Sequence, residues 1–140
     1  MNDCPFCKLA RLGEDDDLVA QRTSTVYVIP APKQRRLNRG HMLILPNVHV
    51  TRLIDVEMPV LQELYSVAGR VSQGVRKAFG ATGATLFQNE NAPDQVLMHL
   101  HIHVVPRRSG DEFRMPDPTG EQISRAERLS QALALRRALG

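Results

Sequence analysis

The order of apolar and polar residues predicts two short strands in the first third of the chain. Residues 25–29 and 41–45 are apolar runs, and each is followed by a proline, which cannot donate a hydrogen bond to a neighbouring strand. The segment between them, residues 31–39, is polar and rich in arginine. We therefore expect an antiparallel hairpin with a long basic loop.

From Asp55 onward, apolar residues recur every three or four positions, which predicts one long helix packed on a core. The stripe consists of Val56, Val60, Leu64, Val67, Ala68, Val71, Val75 and Phe79. Asp55 is the expected N-cap, Pro59 suits the first turn, and Gly80 and Gly83 are expected to close the helix.

The second half of the chain predicts another hairpin and a terminal helix. Residues 84–90 and 97–106 have the composition of antiparallel strands, joined by the turn "NAPDQ". Residues 121–139 are compatible with a helix whose apolar positions are Ile123, Ala126, Leu129, Leu133 and Leu139. The pattern as a whole predicts an α+β fold, in which one long helix packs on an antiparallel sheet of about five strands.

Composition and charge narrow the class of protein. The 140 residues are 42% hydrophobic and 24% charged, which suits one globular domain. We expect a cytoplasmic protein without a membrane partner, because no apolar run approaches the roughly 20 residues that cross a bilayer and the N-terminus does not resemble a signal peptide. The net charge is +3, but aromatic residues do not interleave with the arginine clusters, so a nucleic-acid partner is not expected.

Three of the five histidines alternate with apolar residues in "MHLHIHVVPR", residues 98–107. In a strand, His99, His101 and His103 would share one face. Buried imidazoles need hydrogen-bond partners, and three protonated rings would repel one another. The row therefore indicates either a metal site or nucleophilic and acid–base chemistry.

Cys4 and Cys7 form a Cys-x-x-Cys motif close to the N-terminus. A structural disulfide is not expected without a secretion signal. A dithiol redox centre is one alternative, although such motifs normally follow a strand, and none is predicted here. Half of a tetrahedral zinc site is the favoured interpretation, and His49 with one histidine of the row can complete it.

Two segments resemble hallmarks of the histidine triad (HIT) superfamily. "QVLMHLHIHVVPR" resembles its signature of alternating histidines, and "RGHMLILPNVH" resembles a Gly-His strand that ends in Pro-x-x-His. The resemblance identifies residues 1–108 as a histidine triad domain and leaves 109–140 as a loop and helix that pack on it or on a dimer partner. It implies a homodimer whose two five-stranded sheets form a ten-stranded sheet. It also implies a purine nucleotide or nucleotide conjugate as ligand.

The resemblance implies hydrolysis or transfer at the α-phosphate of a nucleotide through a covalent nucleotidyl-histidine. By position, His101 would be the nucleophile, His103 and Gln95 would hold phosphate oxygens, and Asn89 would position the substrate. An alternative with the same fold is a non-catalytic nucleotide-binding or zinc-stabilised interaction protein. The zinc-bearing branch of the family implies four ligands to structural zinc: Cys4, Cys7, His49 and His99.

The chain also departs from the family pattern. The loop "NENAPDQ" contains no glycine, Val96 stands where a small polar residue is common, and the first strand lacks the usual ribose-binding aspartate. A basic loop follows that strand instead, and we expect Arg35 and Arg36 to favour anionic substrates.

Overall fold

A five-stranded antiparallel sheet organises the protein. The computed structural model describes residues 4–11, 16–93, 98–115 and 120–140. The strand order is β1–β2–β4–β6–β5, and β3 pairs with β7 in a separate two-stranded sheet. The strands are β1 Gln21–Arg22, β2 Val26–Pro30, β3 Lys33–Gln34, β4 Met42–Pro46, β5 Gly83–Phe87, β6 Ile102–Arg107 and β7 Glu121–Gln122. The predicted α+β class, with a five-stranded antiparallel sheet and a long helix, is confirmed.

The strand predicted over residues 97–106, which contains the row of histidines, starts later in the structure than predicted. It begins at Ile102, so His103 lies within β6 whereas His99 and His101 precede it. β6 pairs with β4 as far as Ile44 and Ile102. At the end of β4, Pro46 has no N–H to donate to the neighbouring strand. The N–H of Leu100 donates to the Val50 carbonyl, beyond β4, at 2.7 Å.

Three helices complete the described part of the chain: α1 Pro5–Ala10, α2 Met58–Phe79 and α3 Arg125–Leu139. The α2 helix buries most of the predicted stripe and ends at Gly80, whose φ of 67° suits glycine. The predicted N-cap is wrong, because Glu57 occupies that position and Pro59 lies in the first turn. Asp55 instead ends a short 3-10 turn and accepts hydrogen bonds from Arg52. Within the described ranges, no helix has the length and apolar character of a membrane span.

The two faces of the sheet are covered by different elements. The α2 and α3 helices share a core with inward residues of β2, β4 and β6, including Ile102 and Val104, and with Leu100, which precedes β6. The α1 helix packs on the opposite face, where Phe6 joins Tyr27, Leu43 and other buried residues. The sequence predicted that the histidines share one face and alternate with the core residues. In the structure that face is the one that α1 covers.

The α3 helix buries a face that differs from the predicted one. Ala126 is exposed, whereas Gln131, Ala132 and Leu135 are buried. The helix lies against α2 and β2 of the same chain. The side-chain amide of Gln131 exchanges hydrogen bonds of 2.7 and 3.0 Å with that of Gln34. A buried polar pair therefore occupies part of the face that α3 buries.

Candidate active site and metal centre

The ring of His101 is held in one tautomer by the backbone. Its Nδ1 lies 2.7 Å from the carbonyl oxygen of His99, so Nδ1–H donates and Nε2 carries the lone pair. Burial lowers the pKa of His101 despite this hydrogen bond. The side chain is 9% exposed, and the edge of the Phe6 ring packs against it with 5.5 Å between ring centroids. A neutral imidazole with one defined nucleophilic nitrogen results.

His103 forms a hydrogen-bonded pair with His41. His103 Nδ1 and His41 Nε2 are 2.9 Å apart, so one of the two nitrogens donates. Phe87, directly opposite His103 in the sheet, stacks on its ring with 4.2 Å between centroids and 9° between planes. The pKa of each imidazole is lowered, first by burial and then by neighbouring positive charge, including that of Arg35. The sequence alone indicated no role for His41, although it forms part of the Gly-His motif at residues 40–41.

A second cluster lies on the other side of His101. The thiols of Cys4 and Cys7 and one ring nitrogen each of His49 and His99 all lie within 4.8 Å of one another. Cys7 Sγ is 3.2 Å from His49 Nδ1, and each thiol is 3.5 Å from His99 Nδ1. Cys4 and Cys7 lie at the start of α1, His49 follows β4, and His99 precedes β6. The fold thus brings together the four residues expected as ligands.

The chemistry of this cluster fits a tetrahedral zinc ion. Two sulfur and two imidazole donors form a common set for structural zinc. His99 donates from its other nitrogen, Nε2, to the Pro46 carbonyl at 2.9 Å, which is the outer hydrogen bond that orients most metal-bound histidines. Burial and the adjacent Cys4 raise the pKa of the Cys7 thiol, and a divalent cation would reverse that effect.

The arginines of the basic loop, residues 31–39, contact different parts of the protein. Arg39 forms ion pairs with Glu121 at 2.9 Å and Glu127 at 3.3 Å. Arg35 lies over the Phe113 ring, with 4.5 Å from Cζ to the centroid, and donates to the Arg114 carbonyl at 3.2 Å. The positive charge of Arg35 helps to lower the pKa of His41 and of His103, after the larger effect of burial. Arg36 is exposed.

Of the remaining predicted substrate residues, Asn89 lies just beyond β5, the strand at one edge of the sheet. Asn89 is partly buried and follows β5 by two residues. Gln95, like the rest of residues 94–97, lies outside the described residues.

A sequence model of the HIT domain matches residues 13–110 of this chain. The chain belongs to the HIT family. One relative is the adenylylsulfatase HINT3 of Arabidopsis thaliana, 33% identical over 79% of this chain and 55% of the relative. Another is an AP-4-A phosphorylase of Mycobacterium tuberculosis, 31% identical over 76% of this chain and 55% of the relative. This HIT chain thus spans about half the length of these two curated relatives.

Solved HIT structures share the fold over nearly the whole chain. A zinc-bound histidine triad family protein of Mycobacterium smegmatis superimposes with a TM-score of 0.79 at 27% identity, covering 99% of this chain and 94% of the other. The match extends beyond residue 110 and therefore includes the C-terminal segment.

Proposed function

We propose that this HIT protein hydrolyses or transfers nucleotides at the α-phosphate through a covalent nucleotidyl-His101 intermediate. Relatives named as an adenylylsulfatase and an AP-4-A phosphorylase support nucleotide hydrolysis or transfer in general. The observation that carries the finer proposal is the 2.7 Å hydrogen bond from His101 Nδ1 to the His99 carbonyl, which makes Nε2 the nucleophilic atom.

In the first step, the Nε2 lone pair forms a bond to the α-phosphorus, and the bond from phosphorus to the leaving oxygen or nitrogen breaks with its electron pair. A leaving oxygen departs as the anion, whereas a leaving nitrogen takes up a proton from solvent and departs as the neutral amine. The Nδ1 proton stays on the ring, whose new positive charge is stabilised by the His99 carbonyl. In the second step, water or another acceptor attacks phosphorus, and the electron pair of the N–P bond returns to Nε2. The acceptor's proton passes to solvent.

The His41–His103 pair is proposed to donate to the phosphate. If His41 Nε2–H donates to His103 Nδ1, then neutral His103 carries its single N–H proton on Nε2 and can donate that hydrogen bond to a phosphate oxygen. In this proposal His41 is a positioning residue that selects the tautomer of His103. Gln95 is proposed as a further phosphate ligand and Asn89 as a residue that positions a purine nucleotide.

Cys4, Cys7, His49 and His99 are proposed to hold one structural zinc ion. The zinc-bound Mycobacterium smegmatis neighbour and the donor set of the cluster support this proposal. When bound, the ion would supply a rigid link between α1 and the segment before β6. His99 would then serve twice, because its ring binds the metal while its carbonyl holds His101.

The protein is further proposed to form a cytoplasmic homodimer with a continuous ten-stranded sheet. β5 lies at one edge of the five-stranded sheet, and Leu86 in that strand is 40% exposed. An uncovered edge strand presents unpaired backbone groups that a second copy can complete. Residues 1–108 are proposed as the histidine triad domain, with 109–140 packing on it.

The activity is tested by steady-state hydrolysis of diadenosine tetraphosphate, adenosine 5′-phosphosulfate and adenosine 5′-phosphoramidate. We expect the wild type to release AMP from at least one of them and His101→Asn to be slower by several orders of magnitude. Binding of AMP without turnover of any substrate would favour the non-catalytic alternative.

A further inference from the structure

The side-chain amide of Gln34 lies against the backbone that leads into His41. Its Oε1 accepts a hydrogen bond from the Gly40 N–H at 3.0 Å, and its Nε2 donates to the carbonyls of Ala31 at 2.9 Å and His41 at 3.3 Å. Gln34 is 1% exposed, so these hydrogen bonds form away from water. The amide therefore ties residue 31 to residues 40 and 41.

The α3 helix supplies the partner that completes this arrangement. Gln131 Oε1 accepts from Gln34 Nε2 at 2.7 Å, and Gln131 Nε2 donates to Gln34 Oε1 at 3.0 Å. An amide oxygen accepts two hydrogen bonds, so Gln131 and the Gly40 N–H together use both lone pairs of Gln34 Oε1. Removal of the Gln131 amide would leave the buried Gln34 amide partly unpaired and free to reorient, which is costly.

His41 depends on these contacts because it lies just outside the pairing of β4 with β6. β4 begins at Met42, and its register with β6 pairs Met42 with Val104 and Leu43 with His103. The His41 carbonyl accepts from the Ala31 N–H at 2.9 Å. The sheet therefore fixes His103, whereas the contacts of the loop before β4 fix His41.

A second link from α3 to this loop runs through Arg39. Its guanidinium donates to the Gln34 carbonyl at 3.0 Å and forms an ion pair with Glu127 of α3 at 3.3 Å. The side chains of Arg39 and Glu127 are 31% and 40% exposed, so solvent screens this ion pair and its contribution is small. The buried amide pair therefore carries more of the connection between α3 and His41.

We propose that α3 supports the active site, with Gln131 and Gln34 as positioning residues that hold His41 where its ring pairs with His103. This inference rests on the proposed function, in which the His41–His103 pair donates to the phosphate. His41 Nε2 and His103 Nδ1 are 2.9 Å apart, so a small shift of the His41 backbone stretches this hydrogen bond. Once the bond is stretched, the tautomer of His103 is no longer selected, and the phosphate loses a donor.

The test replaces Gln131 by methionine, which has a similar length but lacks the amide. Gln131→Asn is the second and milder variant, because its amide is shorter and keeps the position polar. Leu135→Ala is the matched control. Leu135 is buried on the same helix and packs near Gly74 of α2, so its truncation loosens α3 but keeps the amide pair.

Three properties of each variant are compared with those of the wild type. The first is kcat and KM for whichever of the three substrates the wild type turns over fastest, and the second is the urea midpoint. The third is the set of ring-nitrogen NMR signals of His41 and His103, which report the nitrogen that carries the proton.

We expect kcat to fall about tenfold in both Gln131 variants, with a smaller change in KM. Their ring signals should show the His41 proton distributed over both nitrogens, whereas the wild type should show it on Nε2. Leu135→Ala should lower the urea midpoint but keep the wild-type kcat and ring signals.

Wild-type kcat and ring signals in Gln131→Met, or an equal fall of kcat in Leu135→Ala, would overturn the positioning role. Absence of turnover by the wild type would overturn the proposed function. In that case unchanged ring signals in Gln131→Met would also overturn the positioning role, and altered signals would support it.

Discussion

Replacement of His99 by alanine is expected to separate a scaffold histidine from a catalytic one. The ring is fully buried, and truncation of a buried side chain of this size costs about 2–5 kcal/mol of unfolding free energy. The Pro46 carbonyl also loses its donor, which adds about 1–3 kcal/mol. Even the lower ends of these ranges sum to about 3 kcal/mol, a large part of the about 5–15 kcal/mol that stabilises a typical domain.

The loss of zinc and the loss of stability in His99→Ala are measured by metal analysis and by urea unfolding. Wild-type protein should carry close to one zinc per chain, and a chelator should lower its unfolding midpoint. His99→Ala should carry no zinc, unfold at lower urea concentration and be insensitive to the chelator. His103→Ala is the matched control, since its ring belongs to the same row but not to the cluster, and it should retain the metal. Full zinc occupancy in His99→Ala would refute this assignment.

Two further predictions concern packing and pH. A Cβ on Gly74 would lie 2.8 and 2.9 Å from leucine side chains of α3, so Gly74→Leu should lower the free energy of unfolding by about 1–3 kcal/mol. In the control Gly69→Ala, a Cβ would meet open space, so this variant should instead raise the free energy of unfolding by about 0.5–1 kcal/mol. If urea unfolding gave the same change for both variants, the packing of α3 on α2 would be contradicted. The hydrogen bonds from Arg107, with smaller contributions from other donors, lower the pKa of Asp111. The ionised Asp111 carboxylate should therefore contribute its full stabilisation to the folded state above the ordinary carboxyl pKa near 4. This contribution should decline as the pH falls towards the lowered pKa of Asp111 in the folded state. The difference in unfolding free energy between wild type and Asp111→Asn should shrink below that pH, and a difference independent of pH would contradict the role of the charged carboxylate.

Long periodic segments made most of the fold predictable. The α2 stripe and the runs that became β2 and β4 contain enough apolar positions to reveal their period. β1, β3 and β7 have two residues each, so they contain no period, and tertiary pairing determines them. The N-cap was misplaced because Asp55 is a good capping residue by type, whereas the position of Pro59 set the first turn two residues later.

The residues of the metal cluster were predicted, whereas the hydrogen-bond and stacking partners of the other histidines were not. Alternation placed the three histidines on one face, and the Cys-x-x-Cys spacing indicated a half-site for zinc. The partners of these residues come from distant parts of the chain. The pairing of His41 with His103 depends on the β4–β6 register, and the contact of Arg35 with Phe113 depends on a loop that meets the C-terminal segment.

Intact-mass spectrometry of the protein after rapid acid-free quenching tests the covalent mechanism most directly. Wild-type protein mixed with adenosine 5′-phosphoramidate, adenosine 5′-phosphosulfate or diadenosine tetraphosphate should gain the mass of one adenylyl group, and the adduct should disappear as AMP is released. His101→Asn should show no adduct while keeping its zinc, because the His101 ring lies outside the metal cluster. An adduct of the same mass on His101→Asn, or turnover at the wild-type rate without His101, would contradict the assignment of Nε2 of His101 as the nucleophile.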